Sequence, residues 1–262
     1  MSTLGHVLVF ALIPAGVAVV GGVIAAIRPP SPRLRTMIQH FAAGVVAAAA
    51  ATELLPEAIS KHSPLALAVG FAFGTAAMLG IGKLMERFEG EEDDAGGEAP
   101  ARASLSASQA YTQAQESGKG PGSMLGAVGA DVAIDGILLG LAFLAGQKAG
   151  LLLTIGFSLE MLSLGLATCA TCRKYKWSVA KSIGSVVGIS LLLTLGTVLA
   201  VAVLGSITGP VLGGLLAFGL AALLFLVTEE LLVEAHEVKE NTITTAMFFV
   251  GFLVLLMIDV LS

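Results

Sequence analysis

The sequence predicts an all-α, polytopic transmembrane bundle of about eight helices. Three observations carry that prediction. Apolar residues make up 56% of the chain and charged residues only 13%, against roughly 25% charged in soluble domains. Mean hydropathy is +0.91, too apolar for a soluble core of this length to absorb. Apolar runs near the ~20 residues that cross a bilayer recur along the chain. Glycine, with 32 residues, outnumbers Phe, Tyr and Trp together, which suits close packing of helix backbones in lipid.

The expected spans are 4–27, 35–58, 64–85, 123–146, 149–170, 178–204, 210–234 and 243–261. Backbone polar groups must be satisfied internally in hydrocarbon, so continuous apolar runs read as helices; the alternation of a β-barrel is absent. The first run, His6 to Ile27, has no basic n-region and no convincing cleavage site, and is read as a span rather than a removed signal. The chain divides into 1–85 (spans 1 to 3), an acidic stretch 86–122, 123–170 (spans 4 and 5) and 171–262 (spans 6 to 8).

Basic residues set the orientation. Arg28, Arg33 and Arg35 lie between spans 1 and 2; Lys83, Arg87, Arg102 and Lys119 at or between spans 3 and 4; Arg173, Lys174, Lys176 and Lys181 between spans 5 and 6; Lys239 between spans 7 and 8. Lys61 and Lys148 alone fall on the other side. This 12-to-2 split of the 14 basic residues predicts both termini outside, in a multi-pass protein of the cell membrane. Residues 86–122, with Glu-Gly-Glu-Glu-Asp-Asp followed by Gly, Ala, Ser and Gln, read as a disordered cytoplasmic loop. A solvated spacer is the plain reading of it; a weak metal-collecting loop is the sharper one.

A short internal repeat is visible. Span 2 ends in Glu53-Leu-Leu-Pro-Glu57-Ala and span 7 in Glu230-Leu-Leu-Val-Glu234-Ala, and the same spacing aligns Phe41 with Phe218. The two spans run in opposite directions, as in an inverted-repeat transporter.

The most informative residues are carboxylates within apolar runs, since an acid at mid-membrane costs about 2.5–3.5 kcal/mol on insertion scales. Asp131 and Asp135 in span 4 are four residues apart and share a helical face. Like charges that close require a proton or a cation between them. Glu160 lies midway along span 5, followed by Met161 and Ser163, and a short connection at Gly146-Gln147 makes spans 4 and 5 antiparallel neighbours. Asp131, Asp135, Glu160, Met161 and Ser163 are therefore the candidate cation ligands. The other reading makes the acids protonated glue between helices. Gly136 and Gly140 form a small-residue stripe suited to helix packing.

Glu53 and Glu57 approach one membrane surface, Glu229, Glu230 and Glu234 the other. They are either solvated or serve as entrance and exit. His40, early in span 2, is a candidate for the same path or a packing residue. His6, His62 and His236 read as surface residues. Cys169 and Cys172 form a lone CxxC at the end of span 5: a redox pair, a soft-metal handoff point, or two small residues at a helix end. No nucleophile–base pair and no HExxH is present, so an enzyme is not expected.

His40-Phe-Ala-Ala-Gly followed by Glu53-Leu-Leu-Pro-Glu-Ala closely resembles the second helix of the ZIP (Zrt/Irt-like) metal transporters. Eight helices, outside termini and a long loop after the third resemble that family's architecture, and the Glu-Leu-Leu-Val-Glu-Ala segment is similar to its seventh helix. The family's fourth helix typically reads His-Asn-x-Pro-Glu-Gly. Aligned on Gly136, Asp131 stands at the His, Val132 at the Asn and Asp135 at the Glu. Its fifth helix typically reads His-Glu-x-Pro-Glu-Gly. Aligned on Gly165, Glu160 stands at the His, Met161 at the acid and Leu164 at the second Glu. The family's buried acid in helix 6 has no counterpart between Lys181 and Pro210.

The resemblance implies a carrier importing zinc, iron or manganese as its substrate, with no resident cofactor. Oxygen donors in place of imidazoles lean toward Mn²⁺, Fe²⁺ or Mg²⁺ rather than Zn²⁺. Lipid surrounds such a protein, a second copy of the chain is a candidate partner, and no nucleic-acid partner is expected. The alternative is a proton-linked permease, or a non-transporting relative whose buried acids are structural.

Overall fold

The computed structural model describes residues 3–28, 31–61, 63–90, 121–232 and 242–261. Among them are eight helices long and apolar enough to cross a membrane. The chain is an all-α polytopic bundle, as the composition predicts. Its helices are α1 (Thr3–Ile27), α2 (Pro32–Ala49, continued by a π-helical turn Ala50–Leu54 and by Leu55–Ser60), α3 (Pro64–Gly90) and α4 (Pro121–Ala145). They continue with α5 (Gln147–Lys174), α6 (Val179–Leu204), α7 (Gly209–Phe225, continued by a π-helical turn Leu226–Leu231) and α8 (Thr242–Leu261). The largest boundary difference from the sequence reading is in α3, which runs on to Gly90 rather than ending near residue 85. The remainder of the acidic stretch lies outside the described residues.

Capping chemistry places several ends. Ser31 Oγ accepts the Leu34 N–H at 3.3 Å and Pro32 occupies the first helical position of α2, where its missing N–H costs nothing. Between α5 and α6 the chain turns through Lys176, at φ 60°. Cys172 O accepts the Trp177 N–H at 3.1 Å, Arg173 Nη1 donates to Trp177 O at 2.9 Å, and the Lys181 ammonium sits 3.8 Å from the Trp177 ring centroid. Ser178 Oγ caps α6 by accepting the Lys181 N–H at 3.3 Å. Ser178→Ala removes that acceptor and is expected to lower stability by about 1 kcal/mol, measurable as a lower thermal midpoint in detergent.

The helices form two groups of four. In one, α1 packs on α5 and α6, and α4 packs on α5 and α6; in the other, α2 packs on α8 and α7, and α3 packs on α7. The seam between the groups is made by α2 against α5 and by α4 against α7. Helix α5 is the most enclosed of the eight, whereas α3 and α8 turn most of their apolar surface outward, with Leu65, Phe73, Phe249 and Val260 well exposed. Lipid is the solvent that tolerates such faces.

The packing is internally symmetric. Exchanging α1, α2, α3 and α4 with α6, α7, α8 and α5 turns the α1–α5 crossing into α6–α4, and the α2–α8 crossing into α7–α3. Matched helices are an odd number of spans apart and so run oppositely through the membrane. The register is specific. Glu53 and Glu230, Phe41 and Phe218, and Gly74 and Gly251 share one offset, 177 residues. The carbonyl of Phe41 lies against Gly251, and the carbonyl of Phe218 lies against Gly74.

The π turns repeat the offset too. The Leu55 N–H bonds Ala50 O, five residues back, and the Leu232 N–H bonds Val227 O. Pro56 explains part of the first turn, since its ring has no N–H for an i→i−4 bond. The matching position in the sequence is Val233, so a proline is not required for the second turn. The short repeat read from the sequence is therefore a fold-wide inverted repeat.

Candidate functional site

The candidate ligands lie on α4 and α5, which pack against each other within the first group. Gly136 lets α4 approach the backbone of α6 at Leu193, and Gly165 lets α5 approach the backbone of α1 at Ala18. The two glycines are 29 residues apart, as are Asp131 and Glu160, so these two acids are counterparts in the repeat. Asp135, without an acidic counterpart, is the additional group.

Asp135 is completely buried, and neither of its carboxylate oxygens has a hydrogen-bond partner. Glu160 and Asp131 both lie close enough to repel a charge on it. Glu160 is itself buried, Met161 and Ser163 are buried beside it on α5, and Asp131 is half-buried. Ser163 Oγ also lacks a hydrogen-bond partner, in contrast to Thr154 and Ser158 earlier on the same helix, which bond main-chain oxygens at 2.7 and 2.6 Å. An unbonded carboxylate in a sealed interior is costly unless something positive neutralises it. The structure thus brings the three predicted acids into one electrostatic neighbourhood. Among the described residues, no three His, Cys, Asp or Glu side chains gather into a closed set of metal ligands.

The predicted path residues fall into different surroundings. His40 is buried in α2, where Nδ1 donates to Thr36 O at 2.9 Å. Glu57 pairs with Lys61 one turn on, and the Ser60 hydroxyl bonds the Glu57 carbonyl at 2.7 Å. Glu53 lies in the π turn of α2, with Lys148 of α5 at 3.7 Å; Lys148 in turn reaches Asp259 of α8 at 2.7 Å. Glu229 is exposed on the π turn of α7. The Glu230 side chain, Glu234 and His236 lie outside the described residues. Cys169 and Cys172 are free thiols, both buried.

Sequence reasoning missed Asp259 and its bond to Lys148. The available signal was that Asp259 is the single acid of the last apolar run. It also missed the π turns, which no apolar periodicity announces. Compared with protein-family models and with curated proteins, the chain matches none.

Proposed function

We propose that this protein is a ZIP-like carrier that moves a divalent metal cation across the membrane through a carboxylate site between α4 and α5. One observation carries the reading: Asp135 is fully buried, without hydrogen bonds, beside two further acids. A divalent cation removes the repulsion among them, and a transported ion must bind well enough to enter and weakly enough to leave. Further support comes from the inverted repeat, in which α4 and α5 are counterparts packed on each other within one group.

With the termini outside, the substrate enters near Glu53 and Glu57 and is dehydrated among Asp131, Asp135 and Glu160, with Met161 and Ser163 beside them. It leaves toward Glu229 and Glu230 into the cytoplasm. Access alternates by rocking of α4 and α5 relative to the group that holds α2 and α7. Oxygen ligands favour Mn²⁺ or Fe²⁺ over Zn²⁺. Protons compete for the same oxygens, so uptake falls as pH is lowered.

The second reading is a proton-linked permease or a non-transporting relative, in which a proton rather than a metal neutralises the buried Asp135. Uptake by proteoliposomes separates the two. The carrier takes up at least one of Mn²⁺, Fe²⁺, Zn²⁺ and Mg²⁺, and the Asp131→Asn, Asp135→Asn double variant does not. Uptake that survives in the double variant puts the site elsewhere; no uptake of any of the four removes the carrier reading.

A further inference from the structure

We propose that Lys148 is a latch that closes the membrane face at which α2 ends and α5 begins, by bonding across the seam between the two helix groups. Lys148 stands in the first turn of α5, in the group of α1, α4, α5 and α6. All the partners that the geometry assigns to its ammonium belong to the other group. Asp259 Oδ1 is at 2.7 Å, the Asp259 main-chain oxygen at 2.8 Å and Glu53 Oε1 at 3.7 Å. The two Asp259 oxygens accept hydrogen bonds from the ammonium, and Glu53 adds an ion pair longer than a hydrogen bond. The lysine side chain is 47% exposed, while Glu53 and Asp259 are 17% and 16% exposed, so water and salt reach the latch from one side only.

What lies beneath makes the bond a closure rather than a surface ornament. Glu53 sits within the π turn of α2, and that turn packs against both α4 and α5. Ala50 and Leu54, in the same turn, are completely buried. The turn is thus a plug between this face and the helices that carry Asp135 and Glu160, and Lys148 ties it to α5. A π turn is a natural place for such a plug, because shifting its surplus residue re-registers the helix without unwinding it. Breaking the latch removes the cation that holds Glu53 of α2 and Asp259 of α8 to α5, so those two helices are free to part from it.

The purpose of the latch rests on the transport reading; its test does not. A membrane-impermeant maleimide is applied to full-length protein in proteoliposomes, with Cys169 and Cys172 changed to Ser and a reporter introduced by Ala50→Cys. No metal is present. The reporter is expected to label slowly, and about fivefold faster with Lys148→Gln. The exchange of the closest pair, Asp259→Lys with Lys148→Glu, is expected to restore slow labelling, because that salt bridge re-forms with its ends reversed. High salt is expected to speed labelling of the parent and leave Lys148→Gln unchanged, since a half-exposed ion pair is screened. Equal rates in the parent and Lys148→Gln overturn the latch. Fast labelling of the parent overturns it, as does failure of the exchanged pair to slow labelling, which reduces Lys148 to a packing residue. Loss of metal uptake with the labelling pattern intact sinks the transport reading alone.

Discussion

Asp135→Asn is expected to reduce metal uptake at least about 100-fold while leaving the protein folded. The magnitude follows from the position. Loss of a partner that merely orients a metal ligand costs 10- to 100-fold in affinity or activity, and Asp135 is itself a candidate ligand. The retained fold follows from the environment. Asparagine has nearly the same shape, and the carboxylate it replaces makes no hydrogen bond that could be lost. The charge removed is one that Glu160 and Asp131 repel. Thermal unfolding in detergent supplies the check that uptake alone cannot. Saturating Mn²⁺, at about 100 times its dissociation constant, is expected to stabilise the parent protein by about 2.7 kcal/mol. Chelation of the metal reverses that gain, and the variant gains nothing. A variant that melts well below the parent in chelator, or that is still stabilised by metal, contradicts the assignment.

Two alanine substitutions within one helix are expected to act in opposite directions. A Cβ on Gly136 would press on the Leu193 carbonyl, with the Leu193 C and Cα atoms next at 3.0 Å. These are backbone atoms, so no side chain can swing aside, and α4 must part from α6. Gly136→Ala is expected to cost about 3 kcal/mol, the upper end for overpacking, and to disturb the helix that carries Asp131 and Asp135. Gly126, ten residues earlier, has nothing within 4 Å of its Cβ position. Gly126→Ala is expected to stabilise by up to about 1 kcal/mol, since alanine loses less freedom in a helix. Gly165→Ala, against the Ala18 carbonyl, repeats the loss in the counterpart crossing. Thermal midpoints that shift the same way in Gly136→Ala and Gly126→Ala would refute the close-approach account.

Much of the architecture was legible because lipid writes its demands locally. The length of each apolar run, the Ser31-Pro32 and Ser178 caps, and the Gly136–Gly140 stripe are all properties of short windows. The stripe packs where expected, with Gly140 against Thr197 and Ala200 of α6. Asp131, Asp135 and Glu160 were legible because a carboxylate in an apolar run has no cheap explanation. The bond between Lys148 and Asp259 was not, because its partners are 111 residues apart and belong to different helix groups. The extent of the repeat was hidden for another reason. Beyond Glu-Leu-Leu the kept letters are scattered, among them Phe41 and Phe218, Glu57 and Glu234, and Gly74 and Gly251. What ties them together is glycine against carbonyl, Gly74 on Phe218 and Gly251 on Phe41, which is geometry rather than composition.

The π turns also change how these helices must be numbered around their axes. A surplus residue adds about 100° of rotation, so every position beyond Leu54 in α2 sits out of phase with those before Ala50. A helical wheel drawn through all of α2 would put Glu57 and Lys61 on the wrong side. Mutational scans of α2 therefore need two separate wheels joined at that turn. The same break falls at Leu226–Leu231 in α7.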